Sequence, residues 1–411
     1  LAVRRYLFED VRANPALYAR HLRDVELGSN GPMGERKRVG AWLKRLERQG
    51  LYLLNRLLYG SGVLAPVAAA GERLFLRDPG MRALLLRINP DILLTTYPIN
   101  ALEAIAMAEA KRLGITTVVQ LLSWDNITSK GRFPVVGDYF ISWGPIMTQE
   151  LVEHYGISRD YIFETGVAHF DAQVKLADDN LRANILTALG LDPARPYILF
   201  GMSSPIFAPR EIDIVEELAN CIRRGEFGDI GLVIRPHPQN VRGYMADESW
   251  LPRLRALQGT RVGIFWPKLA ESDLAWALEE SDLPALASVM AGCTINLNSG
   301  STFAIDGLVH RKPVVLTFFD ADKKLPWHRS ARRCAEYIHL RKLIETGGLF
   351  PVWSFAELKE TLHKLLANPG LNIEARLRAL HLECGPVDGR AAERIAAALA
   401  TIINMGKKAA C

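Results

Sequence analysis

Cysteine is scarce in this chain: five residues in 411, at Cys221, Cys293, Cys334, Cys384 and Cys411, with no C-x-x-C spacing. An odd, scattered set excludes a disulfide framework and a cysteine-based zinc site, and points to reduced thiols in a cytoplasmic setting. No apolar run reaches the roughly 18 residues that span a bilayer, and no signal peptide is visible. Internal repeats of about 20–50 residues are absent. So are the motifs G-x-x-x-x-G-K-[ST], G-x-G-x-x-G and G-x-S-x-G, which removes the P-loop, the dinucleotide fingerprint and the nucleophile elbow. Asp320-Ala321-Asp322 has D-x-D spacing, but Lys323 and Lys324 follow at once and make it a solvated loop. No metal and no other cofactor is expected.

What is present is a globular composition, 49% hydrophobic and 23% charged. At this length two domains are expected rather than one core. The net charge of +5 is uneven, because residues 1–60 hold 12 Lys/Arg against 6 Asp/Glu. Residues 41–59 mix that charge with an apolar helical face, the pattern of a helix lying on the inner face of an anionic membrane; packing on its own domain is the alternative. The basic residues interleave with no recognisable nucleic-acid module, so nucleic acid is not an expected partner.

Residues 1–90 read as mostly helical. Strands then alternate with helices: 91–96, 116–122, 139–143 and 161–165. A polar helical stretch follows, and a second alternation runs through 197–201, 231–235, 261–264, 295–297 and 313–316. Near-continuous apolar strands separated by helices imply parallel sheets covered on both faces. The expected fold is α/β, with two doubly wound Rossmann-like domains facing across a cleft and a helical N-terminal segment. The boundaries are 1–177, a linker 178–196, a second domain 197–388, and a last helix 389–405 bracing the first domain through Ile395, Leu399 and Ile402.

The chain is organised around residues 294–316, which read as strand, small polar turn, short helix, strand. Ser299, Gly300, Ser301 and Thr302 stand where a helix start leaves N–H groups unpaired and favours an anion such as phosphate; an ordinary N-cap is the alternative. Just past another strand, Arg235 offers a planar fork of donors for phosphate and His237 lies between Pro236 and Pro238. Open α/β sheets bind ligands at such carboxyl ends. Ser203 and Ser204 add hydroxyls after strand 197–201. Trp266 and Lys268 can stack on or edge-bind a nucleobase, or simply close a strand. After strand 116–122, Trp124, Asp125, Asn126 and Lys130 crowd together. Asp125 is a candidate general base, against turn capping as the alternative. His169 is the second base candidate.

The segments at 122–131 (LSWDNITSKG), 164–171 (ETGVAHFD), 235–240 (RPHPQN) and 298–315 (NSGSTFAIDGLVHRKPVV) together resemble the GT-B superfamily of sugar-nucleotide enzymes. The likeness runs over nearly the whole chain. It is nearest to bacterial glycosyltransferases of surface polysaccharide such as capsule or O-antigen, and it extends to UDP-N-acetylglucosamine 2-epimerases, CDP-glycerol glycerophosphotransferases and bacterial sialyl- and Kdo-transferases. The resemblance implies a nucleotide-sugar donor in the second domain, its phosphate on His237, Ser299, Ser301 and Thr302, and its ribose near Asp306. A glycan or lipid-linked acceptor would lie on the first. Two features depart from the pattern. The spaced Glu pair of many retaining members is replaced by Asp306 alone. The usual first strand with its Gly-rich turn is not evident before residue 90, leaving either a strand before Leu1 or an acceptor domain rebuilt from helices.

Overall fold

The computed structural model describes residue 6 and residues 9–27, 35–61, 71–72, 75–242, 247–272, 274 and 276–409. Helices Pro15–Leu27, Glu35–Ser61 and Pro79–Ile88 precede the first strand. Asn55, fully buried, fixes the first of these segments: its amide donates to the carbonyls of Tyr6 and Glu9 at 2.6 Å each and its oxygen accepts from Val11 N–H.

The first sheet is four parallel strands in the order β1 (Ile92–Thr95), β2 (Thr116–Gln120), β3 (Tyr139–Ser142), β4 (Ile162–Glu164). Its helices start and stop on local signals. Asn100 caps Ala101–Arg112 by accepting from Leu102 N–H, and Gly156 ends Pro145–Tyr155 in the left-handed region.

The second sheet has six parallel strands, β5 (Tyr197–Gly201), β6 (Gly231–Arg235), β7 (Val262–Ile264), β8 (Ile295–Asn298), β9 (Val314–Thr317) and β10 (Phe350–Val352), in the order β10-β9-β8-β5-β6-β7. All five residues of β5 and of β6 are buried, as strands covered on both faces require. The order reverses between β5 and β8, so the loops leaving their carboxyl ends part there and open a crevice. Three features differ from the sequence reading. Strand β10 and the helices Trp250–Leu257, Asp282–Gly292 and Ile338–Glu345 are additional. Residues 178–196 do not behave as a linker. Their helix Asp179–Ala188 buries Leu186 with Tyr197, Leu199, Val233 and Val289, inside the core of the second sheet.

The chain then returns to the first domain. Helix Ala391–Ala409 lays Ile395, Leu399 and Ile402 on Val118 of β2 and Ile141 of β3. Asp171 caps this helix from the first domain, accepting from Gly389 N–H at 2.9 Å and Ala391 N–H at 2.5 Å. The crossing leaves no room for side chains: a Cβ on Gly144 would stand 2.6 Å from the backbone nitrogen of Gly385. One apolar cluster runs through the interface, joining Val119, Phe140 and Trp143 to Ile305, Leu316 and Leu340.

Candidate functional site

Three loops leave adjacent strands at the crevice: 202–210 after β5, 236–241 after β6 and 299–302 after β8. Strands β6 and β8 flank β5, so the outer two loops start about 10 Å apart. A buried carboxyl ties two of them together. Glu211, at the start of helix Glu211–Arg223, accepts from Ser203 N–H at 2.6 Å and from the Ser299 hydroxyl at 2.5 Å. Burial pushes its pKa up to about 8, with the Ser299 and Ser203 bonds pulling the other way. The Ser299 hydroxyl also bonds Thr317 Oγ1 at 2.8 Å and is 1% exposed, so it holds the loops rather than a ligand.

The turn after β8 is prepared in the same way. Asn298 Oδ1 accepts from Gly300 N–H at 2.9 Å and Ser301 N–H at 3.2 Å, occupying two amides that an anion would need. Gly300 is required by its φ of +84°, and a Cβ there would press on Leu340 and Phe318 at 3.0 Å. The donors left over are the Ser301 hydroxyl, which otherwise only accepts from Phe303 N–H, and the exposed Thr302, which makes no cap bond.

Arg235 is a correction to the expected phosphate fork. Its guanidinium is buried, paired with Asp282, 3.4 Å from the Phe265 carbonyl and 4.5 Å over the Phe265 ring. Asp282 also accepts from Lys268 N–H at 2.9 Å, so the ion pair fastens the ends of β6 and β7 together. Lys268 points its side chain to solvent, and Trp266 packs half-buried on the core beside β7. His237, by contrast, stays available. Its Nδ1 accepts from Gln239 N–H at 3.1 Å, which places the proton of the neutral ring on Nε2. Burial, reinforced by the Arg235 charge, holds its pKa down at about 4, so the ring is a neutral donor at pH 7. On the same loop and on the loop after β5, Gln239 Oε1, Asn240 Oδ1 and the Ser204 hydroxyl are buried without a partner among the described residues, which is a feature of sites that expect a ligand.

Across the interface, Asp125 is held differently from a base. Its carboxylate accepts from the hydroxyls of Ser123 and Ser129 at 2.7 Å each and pairs with Lys130 at 2.8 Å. Burial alone would raise its pKa, but Lys130, His339 and the hydroxyl bonds outweigh it and leave the value at about 2. A carboxylate so stabilised takes a proton poorly at pH 7. Trp124 is buried with its ring edge-on to His339 at 4.8 Å, and Asn126 Oδ1 accepts from Ser123 N–H. His339, in turn, bonds Thr128 Oγ1 at 3.0 Å, joining the two domains.

His169 opens helix Ala168–Leu176 and is exposed on one side while the other backs onto Phe170. Burial of that side lowers its pKa and keeps the ring neutral. The Gln173 amide lies 3.3 Å from His169 Nε2 and donates to Asp306 Oδ1 at 2.9 Å. Asp306, its pKa pushed to about 7 by burial against the pull of Gln173, bridges the domains through this bond.

A cavity of about 480 Å³ lies at the opposite, amino end of β5–β7, where Asp229 pairs with Arg195 and Arg261. Its charges are mutually satisfied, and it is remote from the loops above. Among the described residues no group of three or more His, Cys, Asp or Glu could hold a metal ion.

No family model and no curated protein matches this sequence. Solved structures do. The chain is similar to the S. aureus MnaA–UDP co-structure, with a TM-score of 0.54 at 15% identity over 82% of each chain. It is similar to UDP-GlcNAc 2-epimerase from Neisseria meningitidis bound to UDP-GlcNAc, at 0.52 and 13% identity, covering 78% of this chain and 79% of that one. The UDP-GlcNAc 2-epimerase from Methanocaldococcus jannaschii gives 0.51 and 15%, covering 81% and 82%. The chain has the GT-B fold. In this GT-B chain the residues that sequence reasoning passed over are Glu211, Gln173, Asp282 and His339. Asp282 carried a readable signal, since Ser281-Asp282 followed by Pro284 marks a helix start. The other three showed none.

Proposed function

We propose that the protein is a metal-independent glycosyltransferase that moves a sugar from a nucleotide-activated donor to a growing surface glycan or lipid-linked acceptor. The observation that carries this reading is the set of uncommitted donors at the switch point of the second sheet. The Ser301 hydroxyl and Thr302 sit on a loop held by Glu211 and Asn298, and His237 Nε2–H on a loop held by Asn240 to the Ser203 carbonyl, with buried acceptors and a hydroxyl on the same loops that have no partner among the described residues. Preorganised neutral donors of this kind stabilise charge that develops on a departing diphosphate. In the reaction the bond from the anomeric carbon to the donor phosphate breaks as the bond to the acceptor oxygen forms. The acceptor proton passes to His169, whose exposed ring lies beside the Gln173–Asp306 bond that joins the domains; the long contact from Gln173 yields to a substrate hydroxyl. Asp125, already ion-paired, orders its loop instead.

A second reading, a UDP-sugar 2-epimerase, is favoured by the similarity to proteins of that name. Product mass after incubation separates the readings. Sugar appearing on a glycan acceptor, from UDP-, dTDP-, GDP- or CMP-sugars, supports transfer. Conversion of UDP-N-acetylglucosamine without acceptor makes the protein an epimerase. Turnover of CDP-glycerol alone makes it a glycerophosphotransferase. Tight nucleotide binding with no turnover makes it a non-catalytic sugar-nucleotide-binding protein.

A further inference from the structure

Helix Glu35–Ser61 has two apolar faces, and among the described residues only one of them is packed. At about 100° per residue, Leu51, Tyr52, Asn55 and Leu58 fall on one side, where Leu51 and Tyr52 pack on Tyr6, Val11 and Leu17, Asn55 bonds the backbone of Tyr6 and Val11, and Leu58 is buried. Trp42, Leu43, Leu46, Leu53, Leu54 and Leu57 fall within an arc of about 120° on the opposite side, and each is between 41% and 67% exposed. Six large apolar side chains on one continuous stripe form a patch of the size that marks an interaction surface. Exposed Arg45 and Arg56 stand along one edge of it and Glu47 at the other, and residues 35–61 hold seven Lys/Arg against two Asp/Glu. No helix among the described residues is long and apolar enough to cross a membrane.

We propose that this face of helix Glu35–Ser61 lies in the interfacial layer of an anionic lipid bilayer, with the leucines and Trp42 immersed and the basic residues against lipid headgroups. Charge selects this occupant: a second copy of the helix would set like charges against each other, whereas anionic lipid neutralises them. The site does not depend on the glycosyltransferase reading. It does bear on geometry, because the neighbouring helix Pro15–Leu27 touches both sides of the crevice, through Asn14 to the Thr128 carbonyl and through Glu26 to Arg329.

The test is co-sedimentation of the full chain with phosphatidylcholine vesicles, with and without phosphatidylglycerol, at low and high salt. Binding is expected to the anionic vesicles only, weakening as salt shortens the Debye length below about 10 Å. The variant carrying Leu46→Glu and Leu53→Glu changes only exposed positions, so its melting temperature should match that of the parent while its vesicle partition falls at least about tenfold. Failure of the parent to bind anionic vesicles at low salt overturns the proposal. So does equal binding by the variant. A dimer in light scattering that the variant abolishes assigns the face to a second copy and overturns it too.

Discussion

Replacing Glu211 with glutamine isolates a single buried carboxyl at the junction of the β5 and β8 loops. The side chain is 1% exposed and carries two bonds, from Ser203 N–H and the Ser299 hydroxyl. Burial sets its folded pKa at about 8 against an ordinary 4.5. A carboxyl that holds its proton more tightly in the folded chain contributes stability that is complete below 4.5 and is lost as pH rises through 8. Between about pH 5 and pH 7 the loss from this one group is about 2–3 kcal/mol. Glutamine keeps the shape and the acceptor for Ser203 and never ionises. Urea unfolding at pH 5, 6, 7 and 8 should therefore show Glu211→Gln close to the parent at pH 5 and more stable by about 2–3 kcal/mol at pH 7. Glu211→Ala should be worse than either at every pH, because it strands the buried Ser203 N–H at a cost of about 1–3 kcal/mol and leaves a cavity beside Ser299. Parallel pH profiles for the parent and the glutamine variant would mean that Glu211 is ionised in the fold, and the reasoning would fail.

His169→Ala should lower turnover by a factor of roughly 10²–10⁴ with donor affinity unchanged; steady-state kinetics with product detection checks the split. Asp125→Asn should instead act on stability, since it removes the charge paired with Lys130 and one of the two oxygens that accept from Ser123 and Ser129; a melting temperature that does not fall counts against that role. Asp171→Ala should loosen the returning helix by about 1–2 kcal/mol through loss of its cap, read as faster proteolysis after Gly389. Gly144→Ala has no space beside Gly385 and should destabilise by about 1–3 kcal/mol, seen in thermal melting.

Strands β2, β5 and β6 are legible in the sequence because strands buried on both faces are nearly unbroken apolar runs, and β8 from the alternation of Ile295 and Leu297 with Asn296 and Asn298. Strand β10 is not, since Phe350-Pro351-Val352 is three residues at a sheet edge with a proline in the middle. Helix Asp179–Ala188 reads as a link because only Leu186 of its ten residues is fully buried and half of the ten are polar. The loops that carry the site could be located from their places after strands. The partners of their side chains could not, because they come from far along the chain. Arg235 is claimed by Asp282, 47 residues on, Ser299 by Glu211, 88 residues back, and Asp306 by Gln173, 133 residues back. An arginine at a strand end looks the same in sequence whether it faces a phosphate or a buried aspartate. At His237 the partner is local: the following helix turn engages Nδ1 through Gln239 N–H, two residues on.

The central claim is that the loops after β5, β6 and β8 hold a nucleotide diphosphate, with His237 as a donor to it. Titration calorimetry of UDP, dTDP, GDP, CDP and CMP into the parent and into His237→Ala tests this directly. At least one nucleotide should bind the parent, and His237→Ala should weaken it by about 1.5–3 kcal/mol, the worth of a hydrogen bond to a charged group, or about 10- to 100-fold in Kd. The melting temperature of the variant should stay unchanged. Equal affinity in the two proteins, or no binding of any of these nucleotides to the parent, would contradict the account.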